Sequence, residues 1–241
     1  MIIYCCTLTL HDNVFFATRE MGLLYETEKY LHNWALSYAL FSVTHIPLPY
    51  RLQGVFAQKP AYLDRDREQN LLTLNNAGIY VFPAKPLHWS YQVNTFKAAQ
   101  TTYYGRSKQF GGKGAELNYP INYGRAKELA VGSEYRTYII ATKPIEPFPR
   151  WIRLGKWAAK IEMEVKPVEE MEARSGLYLC QHPLNPLDLP SSSQLRLYNR
   201  IVMPPVSLVS EAQLEGDYWE LEGANLPRGM AYGAGEVAHV S

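Results

Sequence analysis

The run from Lys85 to Gly132 constrains this chain most: it is long, aromatic and cationic, yet poor in aliphatic side chains. Gly105, Gly111, Gly112, Gly114 and Gly124 are interleaved with Tyr103, Tyr104, Phe110, Tyr119 and Tyr123. Such a segment cannot build a core of its own, and a loop of this length within a compact domain is either functional or disordered. The remainder can support it. With 241 residues, 47% of them hydrophobic, the chain can bury the core of one large domain or one and a half, which excludes a disordered or fibrous protein. The formal charge of +1 hides a segregation. Residues 1–84 carry 6 basic and 7 acidic side chains, residues 85–166 carry 14 and 6, and residues 167–241 carry 4 and 10. The aromatic run thus lies in the one third with a net charge of +8, where a polyanion would be received.

Periodicity organises the flanks. Residues 2–10 are β-branched and apolar and read as a strand covered on both faces, resuming over Val14–Ala17. Tyr30, Leu31, Trp34, Ala35, Tyr38 and Ala39 share one face of an amphipathic helix, predicted to start at an N-cap Thr27 and end near Ser42. Residues 43–78 are rich in proline and charge and contain Asp64-Arg65-Asp66-Arg67-Glu68, a run suited to a loop or an exposed helical turn. Strands are predicted over 78–82, stopped by Pro83, and over 135–141. Pro147–Trp157 reads as a short helix or turn; Arg150, Arg153, Lys156 and Lys160 with Trp151 and Trp157 either contact nucleic acid or, at helical spacing, bury the tryptophans and leave the charges in solvent. Ala159, Ile161, Met163 and Val165 alternate with charged residues, the mark of a half-buried strand. Beyond Gly176, short strands are predicted within an acidic tail. The order matches an α+β, ferredoxin-like (RRM-like) βαββαβ unit over residues 1–166, with an insertion between its second and third strands. Residues 167–241 follow as an acidic, β-rich extension packed on it.

Several chemistries lack residues. Six scattered histidines and three cysteines form no metal-ligand spacing, so no metal or cofactor is expected. Gly111-Gly112-Lys113-Gly114 lacks the length of a phosphate-binding P-loop, and no nucleophile motif occurs. An odd cysteine count fits a reducing compartment, and the opening residues are too short an apolar run for an export signal or membrane span; a cytoplasmic protein without a membrane is expected. What is present is the combination that holds single-stranded nucleic acid: Tyr103, Tyr104, Arg106, Lys108, Phe110 and Lys113 fall within eleven residues. Bases stack on aromatic rings or guanidinium planes while cations neutralise phosphates. Docking on a neighbouring protein would use similar residues. His32, with Tyr30, is the one candidate pair for metal-independent RNA cleavage, against a plain packing role.

The stretches LTLHDNVFFATREMGLLYETEKYLHNWALSYAL (8–40) and IRLGKWAAKIEMEV (152–165) resemble the Cas-five family of CRISPR effector complexes, most of all its type I-D form, Csc-one. The resemblance runs from the first strand to about residue 205. It implies a RAMP-superfamily core with a protruding thumb, which here would be residues 97–132. It also implies a non-catalytic subunit of a Cascade surveillance complex that grips the 5′ handle of the CRISPR RNA and caps the backbone filament. The large, Cas-ten-like subunit would adjoin it, near the protospacer-adjacent motif in target DNA. On charge and placement, the RNA ligands expected are Arg19, Tyr103, Tyr104, Arg106, Lys108, Phe110, Lys113, Arg125 and Lys127.

Overall fold

The computed structural model describes residues 1–41, 52–53, 56–57, 62–63, 70–97 and 123–235. In chain order these form β1 (Ile2–Leu10), β2 (Arg19–Met21), β3 (Leu24–Glu26), α1 (Asn33–Leu40), β4 (Leu52–Gln53), β5 (Phe56–Ala57), α2 (Leu72–Asn76), β6 (Ile79–Val81), β7 (Lys85–His88), β8 (Tyr91–Lys97), β9 (Tyr123–Leu129) and β10 (Glu134–Ala141). There follow β11 (Trp151–Leu154), β12 (Ala159–Pro167), β13 (Met171–Cys180), β14 (Gln194–Ile201), β15 (Leu208–Leu221) and β16 (Ala224–Pro227). The protein is mostly β, with few helices among the described residues.

A six-stranded antiparallel sheet runs β11-β12-β1-β10-β6, and β7 pairs the other end of β10. Alternation explains its centre. Cys6, Leu8 and Leu10 of β1, Ile161 and Met163 of β12 and Ile139 of β10 point to one face, which α1 covers with Leu36. Ile3 and Cys5 point to the other face and meet Tyr178, Cys180, Leu184 and Val209 from the later part of the chain. That part forms a second sheet, β13-β15-β14 with β16 on β15. Both faces of β1 are therefore packed where it begins, as its apolar run predicts. The acidic tail builds longer strands than the sequence suggests, ten residues in β13 and fourteen in β15.

Four expectations are corrected. The helix begins at His32 rather than Thr27, because the residues before it have long-range partners: β3 pairs β9, and Leu31 exchanges backbone hydrogen bonds with Ala84. Residues 151–154 are a strand, not helix, since Ile152 and Leu154 alternate into the core against β12; Trp151 and Trp157 are consequently 38% and 50% exposed instead of buried. Val14 makes a single bridge to Leu129 rather than resuming a strand. The Lys85–Gly132 run is also not one loop: β7, β8 and β9 occupy its described parts, β8 and β9 being an antiparallel pair in register from Tyr91↔Leu129 to Lys97↔Tyr123.

Candidate nucleic-acid interface

A third sheet, β2-β3-β9-β8, is the only place among the described residues where expected RNA ligands meet. Its β3–β9 pair is parallel and sets Leu24 beside Arg125 and Glu26 beside Lys127. Paired residues share a face. One face carries Arg19, Met21, Tyr91, Val93, Thr95, Arg125 and Lys127. The other packs inward: Phe96 meets Phe15 at 6.4 Å, Tyr25 at 5.7 Å and Trp157 at 6.0 Å between ring centroids. Gly124 permits this, since a Cβ there would lie 2.7 Å from the Phe96 ring.

The outward face is aromatic and cationic. Lys127 Nζ lies 4.5 Å from the centre of the Tyr91 ring, and Lys29 Nζ 5.1 Å from that of Trp89. Tyr91, Val93 and Trp89 are 37%, 56% and 39% exposed. Burial of its polar end and the carboxylate of Glu28 push the Tyr91 phenol up to about 12, so it remains an un-ionised hydrogen-bonding ring at neutral pH. The cations are not equivalent. Arg19 is held by Glu28 at 2.6 Å and Lys127 by Glu26 at 3.0 Å. Arg125 is exposed, and no carboxylate among the described residues pairs with it. An incoming phosphate would meet Arg125 and Lys29 directly and would compete with glutamates for the other two.

Of the expected ligands, Arg19, Arg125 and Lys127 are thus brought onto one surface. Tyr103, Tyr104, Arg106, Lys108, Phe110 and Lys113 lie outside the described residues. Tyr91, Trp89 and Lys29 were not foreseen, although Tyr91, Val93 and Thr95 alternate with Gln92, Asn94 and Phe96 in the sequence. A second cationic cluster surrounds Trp151 on the edge strand β11. Lys160 Nζ sits 3.9 Å from the ring centre, while Arg150 pairs with Glu162 at 2.8 Å.

His32 is buried at the start of α1. It caps α1, Nδ1 accepting from the Trp34 backbone N–H at 3.1 Å, which leaves Nε2–H to donate to the Val206 carbonyl at 3.2 Å. Burial lowers its pKa to about 3. Both nitrogens are committed and the ring stays neutral. No group of three or more His, Cys, Asp or Glu side chains among the described residues could hold a metal ion. No helix among them is long and apolar enough to cross a membrane.

A mostly antiparallel β protein thus presents rings and cations on one sheet face, side chains of the kinds that stack bases and neutralise phosphates. Comparison narrows this: residues 1–235 match the type I-D CRISPR-associated protein Cas5/Csc1 family, and the chain belongs to that family. Among solved structures it is similar to a CRISPR protein from Archaeoglobus fulgidus, with 11% identity over 94% of this chain and 98% of that one and a TM-score of 0.47. It is also similar to a chain of the type III-B Cmr-beta complex bound to cognate target RNA and AMPPnP, with 8% identity, 88% and 86% coverage and a TM-score of 0.44. No curated protein matches.

Proposed function

We propose that this chain is a non-catalytic RNA-binding subunit of a type I-D surveillance complex, holding the 5′ handle of the CRISPR RNA on the outward face of the β2-β3-β9-β8 sheet. The carrying observation is the convergence of Arg19, Arg125 and Lys127 with Tyr91 on that face, with Trp89 bonded beside Tyr91, from segments about a hundred residues apart. Handle bases stack on the rings, and phosphates reach Arg125 and Lys29. Specificity comes from unpaired base edges and 2′-hydroxyls. The supporting frame is a ferredoxin-like core: β1, α1, β6, β10 and β12 follow the order strand, helix, strand, strand, strand, with sheet order β12-β1-β10-β6, and β11 stands where a second helix would be. The paired strands β8 and β9 are the base of the thumb, which wedges against the first backbone subunit as the chain caps the filament. The large subunit and the motif end of the target DNA lie beyond. The complex works in the cytoplasm.

Two measurements on one sample test this. Labelled repeat RNA is incubated with purified chain in EDTA, and binding and cutting are read together. Binding without specific cutting is expected, weakened by Arg125→Glu. Cutting abolished by His32→Ala would overturn the non-catalytic reading, and an Arg125→Glu affinity equal to that of the parent would overturn the placement of RNA on this face.

A further inference from the structure

A separate cleft of about 440 Å³ opens between α1, the turn joining β11 to β12 and the Met203–Pro205 segment, a size within the range of small-molecule sites. One wall is aromatic. Phe16, Tyr38 and Tyr62 line it above buried Trp34, whose ring lies 4.9 Å from Tyr62. Met203 and Pro204 form the apolar side opposite. Arg153 and Lys156 line it as well, and among the described residues none of those lining it is acidic. His32, which also faces the cleft, is neutral for the reasons given above.

The backbone of the turn that bears Lys156 is fixed. Gly155 turns the chain at φ +79°, with so little room that a Cβ would come within 2.8 Å of the Phe15 carbonyl oxygen. The Lys156 backbone N–H donates to that same carbonyl at 2.7 Å. The turn bearing Lys156 is thereby tied to the Phe15–Phe16 segment, which supplies one of the rings. Arg153 donates to the Ala158 carbonyl at 3.1 Å and lies 3.8 Å from Asp12, so Lys156 is the freer of the two.

Rings alone would suit a proline-rich peptide, and cations alone an acidic one. A slot holding both rings and cations matches an aromatic base joined to a phosphate. We infer that this cleft receives one unpaired nucleotide, its base against Phe16, Tyr38 and Tyr62 and its phosphate at Lys156 and Arg153. The inference rests on the RNA reading above and adds to it a second subsite, apart from the sheet face.

Photolabelling the whole chain with 8-azidoadenosine 5′-monophosphate, followed by peptide mapping, tests it without any RNA. Label is expected in the peptides holding residues 33–40, Tyr62 or 203–205, with unlabelled adenosine 5′-monophosphate competing better than adenosine. The solvent-facing double variant Arg153→Glu, Lys156→Glu should weaken this labelling about tenfold. Ala39→Trp, which fills the cleft without changing charge, should abolish it in protein whose circular dichroism is unchanged. Label absent from these peptides, or confined to those of Trp89 and Tyr91, would overturn the cleft while leaving the sheet face standing. Cleft labelling by a chain that binds no repeat RNA would instead overturn the sheet-face reading.

Discussion

Lys127 shows why a cation's value as a ligand depends on its neighbours. It lies over the Tyr91 ring, yet Glu26 already neutralises it at 3.0 Å, whereas Arg125 two positions earlier faces solvent. A phosphate gains more from a free cation than from one it must share. Arg125→Ser and Lys29→Ser are each expected to lower the salt slope of RNA affinity by roughly 0.7, the single-strand contribution per phosphate. Lys127→Ser should lower it by less; filter binding across a salt series reads both. Buried titrating groups give a second residue-level expectation. His182, whose Nε2–H donates to the Pro83 carbonyl at 2.7 Å, joins His32 in having its pKa lowered to about 3 by burial. Below the unfolded histidine value of about 6.5 the unfolded chain takes up protons that the folded one refuses, so their stabilisation is lost as pH falls. Asp188 opposes them. Burial raises it to about 6 even though Asn33, Tyr80 and the Gly233 N–H all donate to it, and its cost is relieved as pH falls from about 6 toward 4. Two histidines outweigh one aspartate. The melting temperature should drop between pH 6 and pH 4, and more steeply in Asp188→Asn, which removes the opposing group; melts across pH measure the difference.

At the scale of elements, legibility followed how local each cause was. The strand over Ala159–Pro167 was readable because one face holds Ala159, Ile161 and Met163 and the alternation needs no partner to be seen. The strand over Trp151–Leu154 was not, because only Ile152 and Leu154 mark it and the neighbouring prolines imitate a helix start. The start of α1 was missed for a different reason: Leu24–Glu26 is claimed by residues 125–127, a pairing invisible to any local window. The same pairing explains the site. Arg19, Arg125 and Lys127 could be picked out by charge, but their common face with Tyr91 exists only once β3 lies along β9. The β11–β12 turn supplies the element-level prediction. Gly155→Ala forces a side chain into a left-handed position against the Phe15 carbonyl, and a loss of about 1–3 kcal/mol in denaturant unfolding is expected. An unchanged stability would mean that the turn is not fixed as described.

Across the whole molecule, one core joins the beginning and the end of the chain. Ile3, Trp34, Tyr80 and Tyr138 pack with Tyr178, Val209, Leu226 and Tyr232. Beneath them, Tyr232 OH accepts from the Val81 N–H at 3.1 Å and bonds Ser37 Oγ at 2.6 Å, tying the last described segment to α1 and β6. The third sheet stands apart from this arrangement in one respect: its inward face is anchored through Phe96, while its outward face leaves rings and cations in solvent. Leu177, Leu179 and Leu197, at 61%, 49% and 69% exposed, add an apolar surface on the second sheet. A chain with such surfaces should be more soluble when co-expressed with its complex partners than alone. The central claim is that the outward sheet face holds the RNA. Its most direct test is ultraviolet cross-linking of 4-thiouridine-substituted CRISPR RNA within the assembled complex, mapped by mass spectrometry. Handle positions should join to peptides containing Trp89–Lys97 and residues 123–129 of this chain; handle cross-links found only elsewhere on the chain, or only on other subunits, would contradict it.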